Sequence, residues 1–139
     1  MTAPLPILIV LHSERSTPGR IGTVLEAQGY RLDIRRPVLG DPLPASLERH
    51  HGVMIFGGPM SANDPDDYIR RETDFIGVAL KEDKPFLGIC LGAQMLARQL
   101  GGTVGPHPDG HVEIGYYPLS ALPGAEPYGP WRTVVSHWH

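Results

Sequence analysis

The sequence predicts an α/β fold, a mostly parallel sheet flanked by helices on both faces, with a small antiparallel extension. Three observations carry that expectation. Short strand-like runs recur at 5–12, 51–59 and 84–89, the first with the pattern of a strand buried on both faces. Segments of helical periodicity lie between the strand-like runs. After Gly102 that periodicity stops, and two strand-like segments are joined by a loop rich in proline and glycine.

Each element follows in order. LPILIVLH (5–12) reads as the first strand. STPGRIGTVLEAQGY (16–30) reads as a helix capped by Ser16 or Thr17, with Pro18 in its first turn and Gly29 as its stop. Ile21, Val24, Leu25 and Gln28 are expected along one side. YRLDIRRP (30–37) alternates as a second strand, VLGDPLPASLERH (38–50) is a turn-rich connection, and HGVMIFGGP (51–59) is a third strand ending in a glycine pair. From Asp66 to about Asp83, Ile69, Thr73, Ile76 and Leu80 recur at helical spacing. Asp64, Asp66 and Asp67 near the start suit the helix dipole. KPFLGI (84–89) is a fourth strand, and CLGAQMLARQL (90–100) a helix closed by Gly101 and Gly102. HVEIGYYPLS (111–120) and WRTVVSHWH (131–139) supply the antiparallel pair.

The bulk composition narrows the function classes. The chain has 139 residues, 41% hydrophobic and 19% charged, as expected of one globular domain spanning 1–139. A formal net charge of −3 gives no basic footprint, so nucleic acid is not an expected partner. A single cysteine forms no internal disulfide and requires no oxidising compartment. The N-terminal apolar run lacks a preceding basic region and reads as a strand rather than a signal peptide. No run approaches the ~18 apolar residues of a membrane span. The expected location is cytoplasmic, with no membrane partner.

That single cysteine, Cys90, sits in GICLG (88–92), where a strand gives way to a helix. A lone cysteine is often a small buried apolar residue. The pattern G-x-C-x-G offers another reading, the thiol counterpart of the strained strand–turn–helix that carries a nucleophilic serine. Side chains at Gly88 and Gly92 would clash in so sharp a turn, the helix N-terminus favours a negatively charged sulfur, and the Leu91 N–H would point at an oxygen bound beside it. FGGPMSAND (56–64) also follows a strand, so Gly57 and Gly58 bring bare backbone to the same sheet edge. Gly58 is the candidate second donor.

FGGPMSAND followed by PFLGICLGAQMLARQLGG resembles the class I glutamine amidotransferases, most of all stand-alone proteins related to the amidotransferase domain of guanosine monophosphate synthase. VEIGYYPLS and VVSHWH are similar to later segments of that family in order and spacing. The resemblance covers nearly the whole chain and implies a flavodoxin-like fold with no cofactor. It makes Cys90 the nucleophile that takes the γ-glutamyl group and releases ammonia, with Gly58 and Leu91 as oxyanion-hole donors. Gln94 matches a side chain that holds glutamine, and His137, Trp138 and His139 match a loop beside the substrate. Glu113 matches an acidic position of structural or substrate-proximal role.

The family's base, the histidine of a later H-P-E segment, and the glutamate that orients it have no match here. Thiol activation and protonation of the departing ammonia normally need such a partner. The expectation is a truncated domain, inactive by itself, with an exposed edge inviting self-association. Two alternatives remain: a γ-glutamyl peptide hydrolase using the same cysteine, and a non-catalytic relative that binds a partner or small ligand. His137 and His139 alternate along a strand, but two histidines make a weak metal site, and no metal is assigned. His12, His50, His51, His107 and His111 are expected to be surface or turn residues without chemistry.

Overall fold

The structure, a computed structural model, describes residues 2–129 and the backbone of 134–138. It falls into two compact units, Met1–Val104 and Gly105–His139.

The first unit is the predicted parallel sheet. Strands β1 (Ile7–Val10), β2 (Leu32–Arg35), β3 (Gly52–Ile55) and β4 (Phe86–Gly88) lie in the order β2-β1-β3-β4, every neighbour parallel. Central β1 is buried along its whole length, which is why its sequence reads as an unbroken apolar run. Its side chains feed two cores. On one face Leu8 and Val10 join Val53 and Ile55 beneath helices α2 (Asp67–Lys81) and α3 (Leu91–Gln99), with Leu47 of the β2–β3 connection. On the other, Ile7, Ile9 and Leu11 pack with Leu25 of helix α1 (Gly19–Ala27), Met54 and Phe56.

The helix ends share one device. After α1, Gly29 takes φ +89°, its N–H bonds Glu26 and the N–H of Tyr30 reaches back to Leu25. Gly101 closes α3 in the same way, and Asp83, at φ +51°, closes α2. These are Schellman closures, in which a left-handed residue lets the chain satisfy the last carbonyls and reverse.

Two helix faces differ from expectation. In α1 Val24 is 49% exposed and Gln28 is exposed, whereas Gly22 is buried. A Cβ on Gly22 would stand 2.6 Å from Pro18 Cγ and 3.3 Å from Leu32 Cδ1, so the helix approaches its neighbours along a side-chain-free line. Neither Ser16 nor Thr17 is the N-cap. Pro18 holds that position without a side-chain cap, and Ser16 instead bonds within a tight turn to Ser13. In α2 the buried line runs through Ile69, Glu72, Phe75, Ile76 and Ala79, while Leu80 is largely exposed. The stripe is rotated because a buried acid occupies a place that apolar periodicity cannot register.

The second unit is the predicted antiparallel pair. Strand β5 (Ile114–Pro118) pairs with β6 (Val134–Trp138), Tyr116 opposite Ser136, and a short 3₁₀ turn at Glu126–Tyr128 lies in the connecting loop. Among the described residues no helix is long and apolar enough to cross a membrane.

Candidate active site

Three adjacent strands, β1, β3 and β4, deliver His12, the Gly57–Gly58 pair and Cys90 at their carboxyl ends. The chain runs outward from β1 to β2 and then crosses to β3 on the other side. This edge of β1 and β3 is therefore a topological switch point, where open α/β sheets leave a crevice.

Cys90 caps α3 with φ +54° and ψ −107°, a positive-φ conformation outside the allowed regions and strained for any residue with a Cβ. The side chain is exposed. Space, rather than backbone angle, dictates the flanking glycines. A Cβ on Gly92 would stand 2.1 Å from the Ile55 carbonyl oxygen, and one on Gly88 would stand 2.6 Å from the Ala93 nitrogen. Ile89 N–H donates to that same Ile55 oxygen at 2.9 Å, locking the turn onto β3. The glycine loop approaches the thiol directly, since a Cβ on Gly57 would be 3.2 Å from Cys90 Cβ and 3.7 Å from its Sγ. Neither the Gly58 nor the Leu91 N–H donates to another group among the described residues.

His12 overturns the surface reading. It is 3% exposed, its Nε2 lies 2.7 Å from Glu72 Oε2, and its Nδ1 lies 3.1 Å from the Gly57 carbonyl oxygen. Glu72 is fully buried. Because a carbonyl only accepts, Nδ1 carries a hydrogen, and one further proton lies between Nε2 and the carboxylate. The pair is thus neutral as a unit, which makes its burial tolerable. With both ring nitrogens engaged, His12 is not placed to take a proton from Cys90. Close by, burial pushes the Tyr68 hydroxyl up from its ordinary range, helped by Asp66, Glu72 and Asp64.

His50 is the second correction. It too is buried, its Nε2 2.9 Å from Asp33 Oδ2, while Arg35 donates to both Asp33 oxygens at 2.7 and 3.1 Å. The Arg35 hydrogen bond, then that of His50, holds the Asp33 carboxyl below its ordinary value of 3.8. His51 is exposed beside the Tyr30 ring, and exposed His107 and His111 stack on one another.

The remaining predicted residues divide between the units. Gln94 is half-buried in α3, one turn beyond Cys90, its N–H bonding the Cys90 carbonyl at 3.0 Å. In the second unit, the backbone of His137 and Trp138 pairs with Gly115 and Ile114. Glu113 is exposed just before β5, and His139 lies outside the described residues. Sequence reasoning missed Glu72, although it had a signal. Glu72 stands three residues after Ile69 and four before Ile76, on an otherwise apolar face, where a charge is present only if paired.

Residues 20–129 match the family model described as Glutamine amidotransferase class-I. The chain belongs to the class I glutamine amidotransferase family. It is 29% identical over 141 residues to the glutamine amidotransferase-like protein YfeJ of Salmonella typhimurium, covering 94% of this chain and 58% of that one. A GMP synthase of Aeropyrum pernix is 41% identical over 68 residues, 49% of this chain and 12% of its own. Gamma-glutamyl peptidase 4 of Arabidopsis thaliana is 35% identical over 83 residues, 59% of this chain and 33% of its own. The crystal structure of a glutamine amidotransferase from Methylobacillus flagellatus superposes with a TM-score of 0.85 at 33% identity, over 98% of this chain and 55% of that one. The chain thus spans less than two thirds of the length of these relatives.

Proposed function

We propose that this chain carries the nucleophile half of a glutamine-hydrolysing site. Cys90 Sγ attacks the side-chain amide carbon of glutamine, and the carbonyl oxygen takes the negative charge between the N–H groups of Gly58 and Leu91. The C–N bond then breaks as the nitrogen accepts a proton, ammonia leaves, and a γ-glutamyl thioester remains. Water attacks that thioester, the C–S bond breaks, and glutamate and the free thiol are restored. Gln94, one turn beyond Cys90, holds the substrate. The observation that carries this reading is the strained, exposed Cys90 with Gly57 so near that a Cβ there would stand 3.7 Å from its sulfur. No residue of this chain matches the family's histidine base, so the chain by itself is expected to be inactive. The test is glutaminase activity of the full-length protein. It should disappear in Cys90→Ala, and activity persisting in that variant overturns the assignment.

A second substrate reading is favoured by the likeness to a γ-glutamyl peptidase. It keeps the same thioester and changes the leaving group from ammonia to the amine of a peptide or conjugate. Comparing kcat/KM for glutamine with a panel of γ-glutamyl peptides separates the two. A clear preference for peptides selects the peptidase.

A further inference from the structure

We infer that the buried His12–Glu72 pair is a positioning device that fixes the direction of the Gly58 N–H at Cys90. The inference rests on the thioester reading above. The carbonyl of Gly57 and the N–H of Gly58 belong to one peptide plane and point in opposite directions across it. A peptide between two glycines meets no Cβ on either side, so rotating it end over end is sterically cheap. His12 removes that freedom. Its Nδ1–H donates to the Gly57 oxygen at 3.1 Å, which turns the Gly58 N–H away from the imidazole.

The imidazole is itself fixed. Glu72 Oε2 holds Nε2 at 2.7 Å from the middle of α2, and packing encloses both side chains. The ring also bounds the loop, since a Cβ on Gly58 would meet His12 Cβ at 3.0 Å and Met60 Sδ at 2.9 Å. The chain of constraint runs from α2 through Glu72 and His12 to the peptide of Gly57, the glycine whose Cβ would stand 3.7 Å from the thiol. The two hydrogen bonds of His12 go to Gly57 and Glu72, so it acts through that peptide.

Two thiol reagents separate this role from plain stability. Iodoacetamide alkylates by direct displacement of iodide and develops no oxyanion. A glutamine analogue with a chloromethyl ketone in place of its carboxamide reacts through addition. Sγ adds to the ketone carbon and the oxygen becomes negative. Sulfur then displaces chloride from the methylene, its bond to the ketone carbon breaks and the C=O re-forms, leaving a thioether. The ratio of the two rates at Cys90 therefore reads oxyanion stabilisation with thiol exposure divided out.

In the full-length protein, His12→Phe should lower the ratio by about tenfold or more, short of the ~10²–10³ lost with a whole oxyanion donor. The iodoacetamide rate should stay within about twofold. Glu72→Gln should keep the ratio within about threefold, because the amide N–H₂ donates to Nε2 while Nδ1–H stays on Gly57. Should His12→Phe fail to fold, His12→Phe/Glu72→Leu removes the donor without leaving a buried charge, and the same loss is expected there. A folded variant without the donor that keeps the parent ratio overturns this inference alone. Should the unsubstituted protein show no more preference for the chloroketone than a free thiol does, the thioester reading fails and the inference falls with it.

Discussion

The two ends of the parallel sheet each bury a histidine against a carboxylate, and the two pairs are built differently. At the amino edge, His50 shares Asp33 with Arg35, and the Asp33 side chain keeps a quarter of its surface in water. At the carboxyl edge, His12 and Glu72 are alone together, with side-chain exposures of 1% and 0%. The first arrangement is an ordinary surface-linked ion cluster that ties β2 to the start of β3. The second is neutral as a unit, is closed off from solvent and spends one of its hydrogen bonds on a glycine carbonyl in a loop. Cys90, at φ +54° and ψ −107°, also stands at that edge. Where a fold keeps its desolvated polar groups and its strained backbone together, function is the economical explanation.

The contrast can be broken by substitution. Removing His12 alone should destabilise the first unit by about 3–5 kcal/mol, because it leaves a buried carboxylate without a partner. Urea unfolding measures this, and a loss below about 1 kcal/mol would make the two pairs equivalent.

The elbow comes next. Gly92→Ala places a methyl 2.1 Å from the Ile55 carbonyl oxygen, which is backbone and yields only by moving β3 or α3. The expected cost is about 1–3 kcal/mol or more, together with slower alkylation of Cys90 by iodoacetamide as the turn distorts. An unchanged alkylation rate would mean that the turn tolerates displacement without affecting the thiol.

At the amino edge the effects are smaller. Asp33→Asn should cost about 1–2 kcal/mol. Since the folded carboxyl is held below its ordinary 3.8, its contribution is complete above that value and disappears as pH falls through the lowered one. Acid unfolding of the parent should therefore show a component below about pH 4 that Asp33→Asn lacks. An identical acid limb in both proteins would remove Asp33 from the account.

The gentlest test concerns the sheet's open side. Among the described strands β4 has a neighbour on one side only, and its Leu87 is 45% exposed. This is the kind of edge that pairs with another copy. Light scattering at rising concentration should detect self-association of this chain, weakened by Leu87→Lys. A monomer throughout would separate edge exposure from assembly.

The sequence by itself determined the strands, their parallel arrangement and the cysteine turn, because each is written in short-range terms. Central β1 is apolar at every position since both its faces are covered, and GICLG needs its glycines because backbone lies where their side chains would be. The closures at Gly29 and Gly101 were legible for the same local reason. Only the tertiary structure decided which polar residues are inside. His12 ends an apolar run and Glu72 lies sixty residues away on a helix, each looking like surface when read alone. The rotation of α2 and the close approach of α1 along Gly22 were hidden likewise, since apolar periodicity registers neither a buried acid nor an absent side chain. Burial of a charge becomes affordable only when a distant partner arrives to neutralise it, and that partner is supplied by the fold rather than by neighbouring sequence.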